Sequence, residues 1–288
     1  MNPYHEKYLG LKSIDKESPA FLCPLFAYVV LKKSINIAHK SLFDEFEYKL
    51  GREYSKILCS IQKDKGLQGF RAIKSALEEF ENFGFGKAKV ILMNRNKVVL
   101  KNEFSSIARQ YKKSFESDNK KIDYFLSGVY SGILSSHLNK EIHTRETSCY
   151  ATGSKSCVFE NSTSYLNSYP NFANTIADVI KFHRIKGKFV NYPTQLIKNA
   201  FEQGHFTKKE GMIRLWNIYS VYFKFGFFEF SCYILSKLYS DIADICRYLG
   251  LIQARIASDF QKNQYGIKEN DRVFISLLDQ LNLFGYGN

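Results

Sequence analysis

A glycine turn flanked by two cysteines is the feature that most constrains how this chain can fold. Segments with strand-like character lie on both sides of Gly153, one running to Cys149 and the other containing Cys157. The pattern predicts a hairpin, which returns residues eight apart along the chain to one neighbourhood. We therefore expect both thiols to face a common point, with the carboxylate of Glu146 beside them.

Other segments predict the architecture around this hairpin. Apolar residues recur with helical spacing across residues 34–83, with a break at Gly51, and two strands joined by a polar turn follow within residues 87–101. After a polar loop, a further helix carries Gly128 and Gly132 four residues apart on one face. Small residues at this spacing let another element approach closely, and we expect a sheet there. The predicted fold class is α+β, with helices packed on an antiparallel sheet.

The second half of the chain has a different pattern. A first domain, 1–160, is followed by a predicted linker, 161–193, whose opening stretch is rich in Asn, Ser and Tyr. The remainder, 194–288, predicts a mostly helical domain. Its last residues, 277–288, resemble 76–87, and similar aromatic helices precede both segments. We interpret the second domain as an incomplete repeat of the first, with chance similarity between two amphipathic helices as the alternative.

Glu146, Cys149 and Cys157 have the donor atoms that zinc binds in proteins. Zinc takes thiolate and carboxylate ligands in a tetrahedron, so one further ligand would complete a closed, structural site. The simpler interpretation is that both cysteines are buried thiols without a metal. The other four cysteines lack partners at ligand spacing, and we expect them to be small buried hydrophobic residues.

The helix and the hairpin together resemble the 4-vinyl-reductase domain family. In that family, a helix with glycines at this spacing precedes a hairpin of the form Glu-x2-Cys-x3-Gly-x3-Cys-x-Phe. The chain carries all five hairpin residues: Glu146, Cys149, Gly153, Cys157 and Phe159. The resemblance covers about residues 20–160. It implies an α+β ligand-binding fold, usually dimeric, that is related to the TRAPP vesicle-tethering subunits and serves bacterial activators as a sensory domain for phenolic effectors.

The resemblance also implies a fourth zinc ligand, and here the chain departs from the family. Zinc-binding members use the Glu, both Cys and a further Cys just ahead of the glycine-spaced helix, where this chain has Asp123. Aspartate can bind zinc through oxygen, but it also caps helix N-termini, which is the alternative role. His137 or His143 could replace it as the fourth ligand. The zinc would be structural, joining the helix to the hairpin.

The resemblance favours a small-molecule sensor as the function. We expect an apolar pocket between the glycine-spaced helix, the preceding helices and the sheet, suited to an apolar or aromatic ligand. Residues expected on its walls, with core packing as the alternative role, are Phe80, Phe83, Leu92, Ile107 and Tyr111. No phosphate-binding loop, nucleotide-binding glycine motif, metalloprotease motif or nucleophile motif occurs, so we do not expect an enzyme.

The net charge of +13, from 41 Lys and Arg against 28 Asp and Glu, raises nucleic acid as a partner. The excess is spread over both halves without a long basic run, which favours a general property of the surface. Two alternatives to the sensor stay open. One is a nucleic-acid-associated transcriptional regulator, and the other is an interaction scaffold forming an internal pseudo-dimer in place of a homodimer. Without a secretory signal or a membrane span, we expect a cytoplasmic protein.

Overall fold

Helices and strands alternate irregularly along the described part of the chain. The computed structural model describes residues 20–39, 42–64, 66–94, 97–116, 120–163, 202–215 and 218–224. Its helices are α1 (Leu25–His39), α2 (Leu42–Asp64), α3 (Gly69–Asn82), α4 (Ser106–Ser114) and α5 (Tyr124–Leu138). Its strands are β1 (Ala20–Pro24), β2 (Ala88–Met93), β3 (Val98–Asn102), β4 (His143–Ser148), β5 (Cys157–Ser162), β6 (Phe206–Lys209), β7 (Met212–Leu215) and β8 (Ile218–Lys224).

The predicted cysteine hairpin forms half of one antiparallel sheet. The strand order is β2-β3-β5-β4, with every neighbouring pair antiparallel. Both predicted hairpins, β2–β3 and β4–β5, are therefore confirmed. Leu100 and Phe159 are opposite one another on the two central strands and are buried. The α+β class, with helices packed on an antiparallel sheet, is confirmed.

Helix α5 is buried from Phe125 to Leu134 and packs closely on α2. A Cβ atom added to Gly128 would lie 1.9 Å from the Tyr48 carbonyl oxygen, and one added to Gly132 would lie 2.0 Å from Ser55 Oγ. The two glycines therefore let α2 approach α5 closely, and the prediction that they face a sheet is wrong. The predicted break at Gly51 is also wrong, since α2 continues through it. A side chain at Gly51 would meet the Phe125 carbonyl oxygen at 2.2 Å.

A second antiparallel sheet has the order β1-β8-β7-β6. Residues 206–224, which the sequence predicts as part of a helical domain, contain three of its strands, so that expectation is wrong for this segment. The reason is a two-residue turn: Glu210 and Gly211 both have positive φ, 54° and 71°. Positive φ at both central residues is the conformation that joins tight hairpins. Gly86 N–H donates to the Gly211 carbonyl, so this sheet contacts the segment between α3 and β2.

The remaining predictions for the second half lie outside the described residues. Asn161 and Ser162, at the start of the predicted linker, still belong to β5. Residues 164–201 and 225–288, including the second copy of the expected repeat, are not among those described. The domain boundaries and the incomplete repeat therefore stay predictions. No helix in the described ranges is both long and apolar enough to cross a membrane.

Candidate metal centre

The cysteine hairpin places two thiols and one carboxylate together at the buried end of the sheet. The Sγ atoms of Cys149 and Cys157 lie 3.9 Å apart, and neither residue is exposed to solvent. One ligand atom from each of Glu146, Cys149 and Cys157 lies within 4.8 Å of the others. Zinc–sulfur bonds of about 2.3 Å in a tetrahedron hold two sulfurs about 3.8 Å apart. These three residues can hold a metal ion.

Local backbone geometry explains why Glu146 and Cys149 point to the same side. The register of β4 on β5 shifts between Glu146 and Ser148, so the strand contains a bulge. Without it, residues three apart would face opposite sides, whereas an extra residue in the ladder restores a common face. The turn that follows is closed by Gly153, with a φ of 90°. Tyr150 N–H donates to Cys157 Sγ at 3.3 Å, which fixes the position of that sulfur.

Asp123 lies beside this group, at the start of α5, but is not within the compact set of three. Its main-chain N–H donates to Glu146 Oε2 at 3.1 Å. It occupies the N-cap position, yet its side chain makes no capping hydrogen bond. Its carboxylate instead accepts a hydrogen bond from Ser105 Oγ. Asp123 is therefore an N-cap by position alone, and Ser105 holds one oxygen of its buried carboxylate.

Two carboxylate oxygens at this site are buried without any hydrogen-bond partner: Asp123 Oδ1 and Glu146 Oε1. Within the described residues, no Lys, Arg or His forms an ion pair with either carboxylate. An unpaired buried carboxylate is strongly disfavoured in its charged form. A cation bound by Glu146 and the two thiols would satisfy the Glu146 oxygen, so these three residues fit a metal ion.

Burial and the closeness of these groups to one another shift the pKa values of all four. Burial, reinforced by Glu146, raises the pKa of Asp123 well above its ordinary range. Burial and the neighbouring Cys149 likewise raise the pKa of Glu146. Burial raises the pKa of Cys157, whereas a hydrogen bond from Cys157 lowers the pKa of Cys149 to about 7. The Cys149 thiol can therefore ionise near neutral pH, and the thiolate is the form that binds metals.

Neither histidine proposed as an alternative fourth ligand joins the group. His137 contacts Gln62 Oε1 through Nε2 at 3.2 Å, on the α2 side of α5. The Nε2 atom of His143 lies 3.8 Å from Glu141. Sequence reasoning missed Ser105, which accepts a hydrogen bond from Ala108 N–H and holds the Asp123 carboxylate. A serine directly before a helix is a recognisable N-cap signal, although its second partner is not.

The residues expected to line a ligand pocket divide into two groups. Phe80, Phe83, Ile107 and Tyr111 are buried in the hydrophobic core. Leu92 is 44% exposed on the edge strand β2, so the expectation that it faces inward is wrong. A register shift between Val90 and Leu92 disturbs the alternation of faces along β2. The role of the four buried residues in ligand binding stays a prediction.

A small cleft that the sequence did not indicate lies at the far end of the same sheet. Its volume is about 180 Å³. It contains none of the five residues expected to line a pocket. Its lining residues are Met93, Asn94, Lys97, Val98, Leu138, Lys140, Ile142, Asn161, Ser162 and Thr163.

The chain is similar to several solved structures at low sequence identity, and one family model matches part of it. No curated protein sequence matches the chain. A crystal structure of the phenol-responsive sensory domain of the transcription activator PoxR, solved with phenol, is similar at 14% identity and a TM-score of 0.41, covering 48% of this chain and 73% of that one. A vinyl-4-reductase family protein from Methanocaldococcus jannaschii has 22% identity and a TM-score of 0.31, covering 48% and 76%.

A third structure is a trafficking protein particle complex subunit 3 from Naegleria fowleri, covalently bound to palmitic acid. It has 13% identity and a TM-score of 0.34, covering 50% of this chain and 98% of that one. A comparison with protein families gives a more specific result for the segment that carries the candidate metal centre. The resemblance seen in the sequence is confirmed there, because the 4-vinyl-reductase domain family matches residues 113–162, from the end of α4 to the end of β5.

Proposed function

We propose that the chain is a regulatory small-molecule-binding module in which a structural zinc ion joins α5 to the cysteine hairpin, and that it catalyses no reaction of its own. The observation that carries the proposal is the pair of unpartnered buried carboxylate oxygens beside two thiols 3.9 Å apart. The 4-vinyl-reductase domain match over the same segment supports it. We also propose a cytoplasmic setting, where thiols stay reduced.

Four residues would hold the metal: Asp123, Glu146, Cys149 and Cys157. When bound, zinc supplies the positive charge that these buried acidic groups lack. Four protein ligands leave no open position, which is the arrangement of structural sites. Asp123 belongs to the start of α5 and the others to the hairpin, so the ion fixes one element to the other. The bound ion would hold α5 and the sheet in fixed positions while other parts of the chain respond to a ligand.

The proposed ligand is apolar or aromatic, and it would enter the layer of rings between α3 and α5. Phe80 lies 6.3 Å from Phe83 and 5.7 Å from Phe85, measured between ring centroids, and Phe85 lies 5.3 Å from Phe125. Aromatic rings favour tilted and edge-to-face contacts of this kind, and a phenolic ring would contact these side chains in the same way. Phe85 also bridges to Met212 of β7. Separating the rings would therefore move the second sheet, which provides the signal.

Thermal unfolding of the zinc-loaded chain with phenol and, separately, decanoate tests this function. A ligand at 100 times its Kd stabilises the folded state by about 2.7 kcal/mol. Phe83→Trp should place a larger ring in this layer, exclude a further aromatic group and abolish the ligand-induced shift in Tm. Phe70→Trp is the matched control, because Phe70 is 55% exposed on α3. The function is wrong if neither probe raises the Tm of the wild-type chain.

Oligomeric state is a separate question. The resemblance implies a homodimer, whereas an internal pseudo-dimer would be monomeric. Light scattering on the full chain distinguishes the two. A stable dimer favours the homodimer, and a monomer at every concentration favours the pseudo-dimer.

A further inference from the structure

The peptide group that joins Ile122 to Asp123 is held from both of its sides, and we call it the 122–123 peptide. Its carbonyl oxygen, on Ile122, accepts a hydrogen bond from Lys32 Nζ at 2.7 Å. Its N–H, on Asp123, donates to Glu146 Oε2 at 3.1 Å. The C=O and N–H of a trans peptide point in opposite directions within one rigid plane. This single unit therefore connects a buried lysine to a candidate metal ligand.

All three protons of the Lys32 ammonium group are used. An ammonium group has three N–H donors and no acceptor. Two of the donors bond to Glu47 and Asp44, and the third bonds to the Ile122 carbonyl. Lys32 is 1% exposed, so solvent is not available as a substitute partner. The two carboxylates therefore fix the ammonium group, and its remaining proton is directed at the 122–123 peptide.

The two oxygens of the Glu146 carboxylate have different surroundings. Oε2 accepts the Asp123 N–H, whereas Oε1 is buried without a hydrogen-bond partner. Glu146 offers a carboxylate oxygen to a metal beside Cys149 and Cys157, and Oε1 is the one left free for it. Next to the hydrogen bond from Cys157, one from the main chain of Ile122 lowers the pKa of Cys149. The main chain at residues 122 and 123 therefore contacts two of the candidate ligands.

We propose that Lys32 is a positioning residue for the metal centre, a role that rests on the proposed function because it requires a bound ion. Lys32 holds the 122–123 peptide so that Glu146 presents Oε1 to the ion. The ammonium group also polarises the peptide, which strengthens the hydrogen bond that its N–H donates to Glu146. Lys32 belongs to α1 and precedes residues 113–162, the segment that matches the family. The metal centre therefore depends on a helix outside that segment.

The test has to separate metal positioning from the stability of the buried lysine and its partners. Lys32→Met alone leaves Glu47 buried without its counter-ion and destabilises the chain. The test variant therefore combines Lys32→Met with Glu47→Gln, which removes that uncompensated charge. Glu47→Gln alone is the matched reference, because it alters the same group of residues but keeps the ammonium group that bonds to the Ile122 carbonyl.

Competition with a chelator measures the zinc affinity of the full chain under native conditions. The chain with both substitutions should bind zinc about 10–100-fold more weakly than the Glu47→Gln chain, the usual effect of losing a group that orients a metal ligand. Cobalt bound in place of zinc gives a second measurement, because its d–d absorption reports ligand geometry and not stability. The Glu47→Gln spectrum should match that of the wild type, and adding Lys32→Met should change it.

Equal zinc affinities of the two variants, or a cobalt spectrum that adding Lys32→Met leaves unchanged, would overturn the role of Lys32 and leave the proposed metal site intact. A wild-type chain that binds neither zinc nor cobalt would overturn the metal site itself, and the role of Lys32 with it.

Discussion

Two clusters of buried carboxylates lie next to each other in this molecule, and they satisfy their charge differently. In the first, Lys32 is 1% exposed and pairs with Asp44 and Glu47. In the second, Glu146 lies beside two thiols with Asp123 next to this group, and neither carboxylate forms an ion pair within the described residues. The clusters are joined through the backbone, because Lys32 Nζ donates to the carbonyl of residue 122 at 2.7 Å.

The difference shows what the second cluster requires. Burying a carboxylate is costly unless a counter-charge or hydrogen bonds compensate it. The first cluster has its own ammonium group, and Tyr28 also donates to Glu47. The second has cysteines where a lysine would be needed, and two of its oxygens have no partner. A metal ion bound by the thiols would have the role in the second cluster that Lys32 has in the first.

The largest effect is expected from a substitution that disrupts the second cluster. Cys149→Ser should remove the metal and lower the free energy of unfolding by about 5 kcal/mol or more, since losing a structural metal is among the most damaging single changes. Cys59→Ser is the matched control, because Cys59 is equally buried but lies outside the cluster. It should cost about 1–3 kcal/mol and leave the metal bound. Urea unfolding and zinc content measure both, and equal losses would contradict the assignment.

The next largest effect is expected from a substitution that disrupts the first cluster. Lys32→Met leaves Asp44 and Glu47 buried without their counter-ion and should cost about 3–5 kcal/mol at pH 8. Adding Glu47→Gln should recover part of the loss, because it removes one uncompensated charge. Lys74→Met, on the exposed surface of α3, is the control and should cost little. If Lys32→Met is as stable as that control, the first cluster does not depend on its lysine.

A smaller effect tests the packing of the two helices that carry the clusters. Glu47 belongs to α2, whereas Asp123 begins α5. Gly128→Ala would place a Cβ atom against the Tyr48 carbonyl and force these helices apart, at a cost of about 1–3 kcal/mol. Gly153→Ala tests backbone conformation without a clash, because nothing lies within 4 Å of its added Cβ. An unchanged Tm for Gly128→Ala would show that the α2–α5 contact is looser than described.

The last expected effect is gradual and concerns pH. Burial outweighs Lys32 and raises the pKa of Glu47 from 4.5 to about 7. The folded chain therefore retains this proton where the unfolded chain has lost it. The stabilisation is complete below about pH 4.5 and disappears as pH rises through about 7, at up to about 1.4 kcal/mol per pH unit. In urea unfolding of the metal-loaded chain between pH 5 and 8, Glu47→Gln should flatten this decline, and an unaltered slope would contradict it.

The parts of this account that could be predicted from sequence are local. Gly153 between two strand-like segments predicts the hairpin, and the hairpin alone brings Cys149 and Cys157 together. The glycines of α5 indicate a close approach, but their spacing is the same whether a sheet or a helix approaches. The strands within 206–224 depend on the backbone of Glu210 and Gly211, a pair that does not stand out among the aromatic residues nearby.

Long-range contacts explain the rest. Lys32 and Lys33 are adjacent, and nothing local distinguishes the lysine that is buried from the one beside a Phe115 ring. The distinction arises from a carbonyl 90 residues away.

Native mass spectrometry of the full chain tests most directly whether the second cluster is a metal site. The wild-type chain should carry one zinc ion that chelation removes, and the Cys149→Ser chain should carry none. The metal-free chain should also unfold at a lower temperature than the loaded one. A wild-type chain that binds no metal, and whose Tm is the same with and without added zinc, would contradict the account.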